Sequence, residues 1–360
     1  MTATQDLHKL GQSLWLDNIT RGILDNGTLR RYIGELSVTG LTSNPTIFDE
    51  AIGGSGQYDE SIRRKARDGL SGEPLFLELA LEDLRRAADL FRPVFDRTGG
   101  IDGWVSMEVS PLLANDTRAT IEAAKRIHQL ADRPNLYVKI PGTPEGAPAI
   151  EEAIFSGVPV NVTLLFSREH YLAVAEAYMR GIERRLASKL DPRVSSVASL
   201  FISRWDRAIA GKVPAELANR LGIAIAGRTY RAHCDLIASK RWRDLAAAGA
   251  VKQRMLWAST GVKDPKARET LYVEALAAPE TIDTMPEKTL LAFARQGKVG
   301  APMPADGGDA EKVLERFAEA GVDVEALAKQ LQVEGAQSFV KSWKELMQSL
   351  VDKSRALAAS

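Results

Sequence analysis

The feature that most constrains this chain is an alternation. Short runs rich in β-branched and apolar residues recur along it, and a longer stretch of Ala, Leu, Glu and Arg with helical spacing separates each from the next. Such a pattern describes parallel βα units, because parallel neighbours need a crossover long enough to hold a helix. The predicted strands are Ser13–Leu16, Ser37–Leu41, Gly103–Val109, Leu136–Ile140, Pro159–Leu165, Val194–Ile202, Met255–Ala258 and Thr281–Thr284. Eight strands of this kind close a barrel, so the expected fold is α/β: a single (β/α)8 TIM barrel domain spanning residues 1–360, with additional helices. An open doubly wound sheet is the competing arrangement, but no G-x-G-x-x-G or G-x-x-x-x-G-K-[ST] loop follows an early strand.

Composition narrows the function classes. Lys plus Arg and Asp plus Glu number 47 each, so the chain has no overall field with which to gather nucleic acid or an anionic membrane. Anion binding must be local. The amino terminus, MTATQDLHKLGQSLW, lacks a basic start followed by an apolar core, and no later segment reaches membrane-spanning length, so a cytoplasmic location is expected. Cys234 is the single cysteine, which rules out an internal disulfide and a thiolate zinc cage, and no metal is expected. Gly53–Asp68, with its Gly-Gly-Ser-Gly run and following charges, reads as a loop leading into a helix. Near the C-terminus Phe339, Trp343, Leu346, Met347 and Leu350 recur at helical spacing, an apolar stripe expected to dock on the barrel. The sequence leaves both a monomer and a homodimer open.

In a (β/α)8 barrel the carboxyl ends of the strands share one face, and active sites assemble there. Several predicted strands run into polar or ionisable residues: Asp17, Thr42-Ser43-Asn44-Pro45, Glu108, Lys139, Thr163, Ser199 and Ser259. Lys139, in Tyr-Val-Lys-Ile-Pro-Gly-Thr, sits at an apolar strand end where an ammonium loses solvation. The neutral amine is the form that attacks a carbonyl, and the iminium it makes accepts electrons as a carbon–carbon bond breaks. Making and breaking that imine moves several protons. Asp17 and Glu108 supply carboxylates for this work, and the apolar neighbours of Glu108 favour its protonated form. Taken singly, each of these residues has a bland reading as a snorkelling lysine or half of a buried ion pair.

Together the segments SVTGLTSNPTIF, WVSMEVSP, YVKIPGT, GVPVNVTLLFS, SVASLFISR, LWASTGVKDP and TIDTMPEKTL resemble the transaldolase family, in the longer form of some bacteria, over roughly residues 10 to 350. The resemblance implies a (β/α)8 fold with a Schiff-base lysine on the fourth strand, here Lys139. It implies that Glu108 and Thr163 hold a proton-shuttling water, and that Asp17 takes and returns the proton of the substrate hydroxyl at the cleaved bond. Asn44, Asn161 and Ser199 resemble the groups that hold the dihydroxyacetone unit. Arg204 resembles the phosphate-binding arginine, its planar fork suited to phosphate oxygens.

One departure stands out. Better-known members carry Ser-x-Arg after the seventh strand, whereas this chain reads Ser259-Thr260-Gly261-Val262-Lys263. Ser259 keeps a hydroxyl, and Lys263 is the candidate second cation.

The implied reaction moves a three-carbon dihydroxyacetone unit from sedoheptulose 7-phosphate to glyceraldehyde 3-phosphate, giving erythrose 4-phosphate and fructose 6-phosphate in the pentose phosphate pathway. It needs sugar-phosphate substrates and no cofactor. Three rivals remain: a fructose-6-phosphate aldolase-like enzyme that releases free dihydroxyacetone, pyridoxal-phosphate chemistry on the same lysine, and a catalytically silent binding barrel.

Overall fold

The computed structural model describes residues 2–358. Its strands are β1 (Ser13–Asp17), β2 (Val38–Thr42), β3 (Trp104–Glu108), β4 (Leu136–Pro141), β5 (Val160–Leu165), β6 (Ser196–Phe201), β7 (Arg254–Ala258) and β8 (Ile282–Met285). Each is parallel to the next, and β8 pairs with β1, so the sheet closes on itself as the alternation predicts. Boundaries shift from the predicted ones by one or two residues, because pairing rather than side-chain type ends a strand. Asp17 and Thr42, for example, stay in the ladder opposite one another.

The helices are α1 (Ala3–Leu10), α2 (Arg21–Asp25), α3 (Thr28–Glu35), α4 (Pro45–Gly53), α5 (Asp59–Arg67), α6 (Gly72–Arg97), α7 (Thr117–Ala131), α8 (Gly146–Phe155), α9 (Arg168–Ala187), α10 (Ser203–Ile209), α11 (Leu221–Ile237), α12 (Lys240–Ala247), α13 (Leu271–Ala275), α14 (Glu287–Gln296), α15 (Ala310–Glu319) and α16 (Val324–Ala358). Among the described residues no helix is long and apolar enough to cross a membrane.

Two expectations for the connecting segments meet different outcomes. Gly53–Asp68 does lead into a helix, but the loop is far shorter than its composition suggests: Gly53 ends α4, only Gly54 and Ser55 precede a 3-10 turn over Gly56–Tyr58, and α5 follows at once. Buried anchors account for this. The hydroxyl of Tyr58 donates to Asp83 at 2.7 Å and Ile62 is wholly buried, which leaves little chain free to loop. The C-terminal stripe docks as expected, on α4, α5, α6 and β5. Phe339, Trp343, Leu346 and Leu350 are buried, Met347 packs half-buried against the core, and Trp343 meets Phe76 edge to face with centroids 5.1 Å apart.

Below the mouth, toward the amino ends of the strands, aromatic side chains from neighbouring strands form a floor. The rings of Trp104 and Tyr137 stack with centroids 4.0 Å apart, and Trp15 lies 6.1 Å from Tyr137. A buried polar set holds their edges. The indole of Trp15 donates to Asp102 at 2.9 Å, Ser13 donates to the other oxygen of the same carboxylate, and Arg254 donates to Ser13 at 2.7 Å and to the Thr281 carbonyl at 2.9 Å. Gly40 on β2 provides the room. A Cβ there would sit 2.6 Å from the Trp15 ring and 2.7 Å from the Trp104 carbonyl, closer than carbon approaches either. Gly40→Ala is therefore expected to destabilise the barrel by about 1–3 kcal/mol through overpacking, read as a lower midpoint in denaturant unfolding. An unchanged midpoint would show that the floor yields without cost.

Candidate active site

The register of the barrel brings the ionisable residues together. Glu108 on β3 pairs with Lys139 on β4, and Lys139 pairs with Asn161 on β5, so three inward side chains lie at one level. A cavity of about 460 Å³ opens above them at the carboxyl ends of the strands. Its wall includes Asp17, Asn44, Lys139, Thr163, Ser199, Arg204, Ser259 and Lys263, eight of the ten residues singled out from the sequence. Glu108 and Asn161 lie outside that wall, each in contact with one of its members.

The Lys139 amine is almost wholly buried and donates to the carbonyl of Ser43 at 3.1 Å. Glu108 stands 3.6 Å away, a charge contact rather than a hydrogen bond. Neither carboxylate oxygen of Glu108 has a hydrogen-bond partner among the described residues, and the same holds for the buried hydroxyl of Thr163. Unpaired polar atoms at such depth are costly unless a ligand or solvent completes them. Burial pushes Glu108 above its ordinary value despite the pull of Lys139, and burial likewise raises Asp17 against the pull of Lys139, a Thr42 hydrogen bond and Lys263.

Asp17 is held by a small network that sequence reasoning missed. Thr42 donates to its carboxylate at 2.7 Å, and the Thr42 hydroxyl lies 2.7 Å from that of Thr284 on β8. Thr42 directly follows the predicted strand Ser37–Leu41 and Thr284 ends Thr281–Thr284, which is the signal that could have found their contact. Asn44 caps α4, accepting from the Ile47 amide at 3.1 Å with Pro45 as the first helical residue. Its acceptor is thus used locally, and its amide N–H groups have no partner among the described residues.

Asn161 differs from expectation. It is the second residue of β5 rather than one at its carboxyl end, it is wholly buried, and its carboxamide is used twice: it accepts from Ser199 at 2.7 Å and donates to Ser106 at 3.1 Å. In this geometry it orients Ser199, which does line the cavity.

Two non-glycine residues beside the cavity adopt left-handed backbone. Leu164, at φ 61°, follows Thr163 where the β5–β6 register shifts. Ser259, at φ 57°, follows β7, and its hydroxyl lies 2.9 Å from that of Ser203 at the start of α10. Such strain persists where surrounding structure fixes it, and it concentrates at functional sites.

The cationic side of the cavity is built from α10, the β7 loop and α16. Arg204 has no hydrogen bond or ion pair among the described residues; instead its guanidinium lies 5.2 Å from the centre of the Phe201 ring and 5.8 Å from that of Phe339. Burial lowers its proton affinity slightly from an ordinary value so high that the charge remains. Lys263 is exposed at the rim and likewise unpaired. Ser338 and Phe339 of α16 complete the wall, a role the apolar stripe did not reveal. His233, next to Cys234, bonds the Tyr171 hydroxyl at 2.8 Å.

An amine beside two carboxyls whose proton affinity burial raises, under a cavity with cations unpaired among the described residues, is equipped for amine chemistry on an anionic carbonyl compound. Comparison with known proteins agrees. Residues 14–350 match the family described as Transaldolase/Fructose-6-phosphate aldolase. A transaldolase of Thiobacillus denitrificans is 42% identical over 96% of this chain and 99% of its own length. One from Saccharopolyspora erythraea is 42% identical over 97% and 98%, and Transaldolase 2 of Nostoc punctiforme 39% identical over 98% of each. The chain belongs to the transaldolase/fructose-6-phosphate aldolase family.

The raised carboxyls give the site a pH signature. A carboxyl that must accept a proton loses that capacity as pH falls through its value, so kcat/KM is expected to fall on the acid side with a midpoint above the ordinary glutamate value of 4.5. Glu108→Gln should slow the reaction and change that limb. A limb at or below the ordinary value, or one untouched by the substitution, would remove Glu108 from proton transfer.

Proposed function

We propose that the chain is a cytoplasmic transaldolase in which Lys139 carries a dihydroxyacetone unit from sedoheptulose 7-phosphate to glyceraldehyde 3-phosphate, releasing erythrose 4-phosphate and forming fructose 6-phosphate. The observation that carries the reading is the buried Lys139 amine, 3.6 Å from Glu108, at the base of a cavity whose rim holds unpaired Arg204 and Lys263.

The amine adds to the ketose carbonyl, giving a carbinolamine that loses water to become an iminium. Glu108 and Thr163 supply the acceptor and hydroxyl that hold and protonate the departing oxygen through a water. Asp17, steadied by Thr42, takes the proton of the hydroxyl at the cleaved carbon–carbon bond, and the electrons of that bond flow into the iminium. The first aldehyde leaves. Asn44 and Ser199, the latter oriented by Asn161, hold the hydroxyls of the remaining three carbons until the acceptor aldehyde arrives. Asp17 then returns its proton as the new bond forms, which restores the iminium; water adds to it with Glu108 and Thr163 moving the protons, and the carbon–nitrogen bond breaks to free fructose 6-phosphate and the Lys139 amine. Arg204 and Lys263 hold the phosphate.

Release of free dihydroxyacetone is the alternative within the same family. Retention is favoured by α16, whose Ser338 and Phe339 form part of the cavity wall and leave less of it to bulk water.

Borohydride added with fructose 6-phosphate is expected to fix a three-carbon adduct on the peptide containing Lys139, and Lys139→Arg should abolish turnover because a guanidinium forms no imine. An adduct on another lysine would overturn the assignment. Product analysis with and without an acceptor aldehyde separates transfer from release: appreciable free dihydroxyacetone without acceptor would favour the aldolase. Lys263→Ala should raise KM for phosphorylated substrates several-fold with a smaller change in kcat, since it removes binding common to ground and transition states. Unchanged kinetics would leave Lys263 a surface residue.

A further inference from the structure

Helix α16 runs along the barrel mouth and sets a glycine against Leu164 and Arg204. A Cβ on Gly335 would lie 3.0 Å from Leu164 Cδ2 and 3.1 Å from Arg204 Nη1, tighter than side-chain atoms normally sit, and 3.5 Å from the Phe166 ring. Mid-helix glycine carries a propensity cost of about 1 kcal/mol relative to alanine, so the position favours alanine on local grounds.

The helix itself is fixed on both sides of this point. Nearly one turn before, the side chain of Gln332 donates 3.0 Å hydrogen bonds to the carbonyls of Gly142, just past β4, and of Leu164, just past Thr163. One turn after, Phe339 is buried and flanks the Arg204 guanidinium, and Trp343 follows in the core. A methyl group on residue 335 therefore cannot be relieved by withdrawing the helix. The neighbours must give instead: Leu164 is packed in the core with almost no exposure, whereas the guanidinium of Arg204, which no hydrogen bond to a described residue holds in place, has the freedom to shift.

We propose that Gly335 is a positioning residue for phosphate recognition: its missing side chain leaves the slot between Phe201 and Phe339 in which Arg204 lies, and so sets where the guanidinium meets the substrate phosphate. The proposal rests on the reading of Arg204 as the phosphate ligand. It places part of the substrate specificity on a residue that touches no substrate.

The test compares fructose 6-phosphate with fructose as donor, using unphosphorylated glyceraldehyde as the common acceptor. Gly335→Ala is expected to raise KM for fructose 6-phosphate about three- to tenfold, the size of losing part of a charge-assisted hydrogen bond. Its kcat with that donor, its kinetics with fructose and its thermal midpoint should change little, the last because the helix gains propensity. Arg204→Ala is measured alongside. If Arg204→Ala selectively weakens the phosphorylated donor and Gly335→Ala does not, the proposal fails while the phosphate role of Arg204 stands. If Arg204→Ala harms both donors equally, the phosphate reading itself fails. Equal losses for both donors in Gly335→Ala would mean a displaced helix and would also overturn the proposal. In the double variant Gly335→Ala with Arg204→Ala, the glycine substitution should add nothing to the loss for the phosphorylated donor, since the group it displaces is gone; additive losses would count against it.

Discussion

The mouth of this barrel can be no better ordered than the floor beneath it. Closing eight strands demands a fixed tilt and stagger, and the interior must then be filled by side chains of matching size. Here Trp15, Trp104 and Tyr137 fill it, with Gly40 giving up its side chain so that the indole of Trp15 fits. Asp102 and Arg254 tie the ring edges and strand starts to one another. With the lower layer set, the β3–β4–β5 register follows, and Glu108, Lys139 and Asn161 come to one height. Catalytic geometry is thus inherited from packing that has no chemistry of its own.

That inheritance explains why charges tolerate such depth at the mouth. A buried amine or carboxyl pays for lost hydration unless its surroundings compensate, and they do so unevenly. Lys139 receives a backbone carbonyl and two nearby carboxyls, Asp17 receives the Thr42 hydroxyl, and Glu108 receives charge attraction from Lys139 and Arg204 but no hydrogen bond from a described residue. The least satisfied group is therefore the carboxyl best able to exchange a proton as the occupant of the cavity changes.

Much of this was legible in the sequence, for identifiable reasons. Strand and helix periods are local properties, so the eight strands and their closure could be read directly, and polar residues at strand ends marked Asp17, Lys139 and Thr163. What escaped reading depends on contacts between distant segments. The role of Asn161 turns on where β5 begins and on its bonds to Ser106 and Ser199. Thr284 matters because β8 closes against β1, which places it near Thr42. Gly53–Asp68 carries loop-forming residues, yet Tyr58 and Ile62 anchor it in helical turns. The apolar stripe of α16 announced that the helix docks, but not that Phe339 serves both core and cavity.

The position of α16 along the chain has a consequence for biosynthesis. The strands are complete once the ribosome has passed Met285, so the barrel can close while the segment from Val324 onward is still being made. The strands that carry Lys139, Glu108 and Asp17 all precede that segment, which supplies Ser338 and Phe339 to the cavity wall and one of the two rings flanking Arg204. The wall beside Arg204 is thus completed by chain that follows all eight strands, so the cavity gains its full lining only after the sheet has gained its full set of strands.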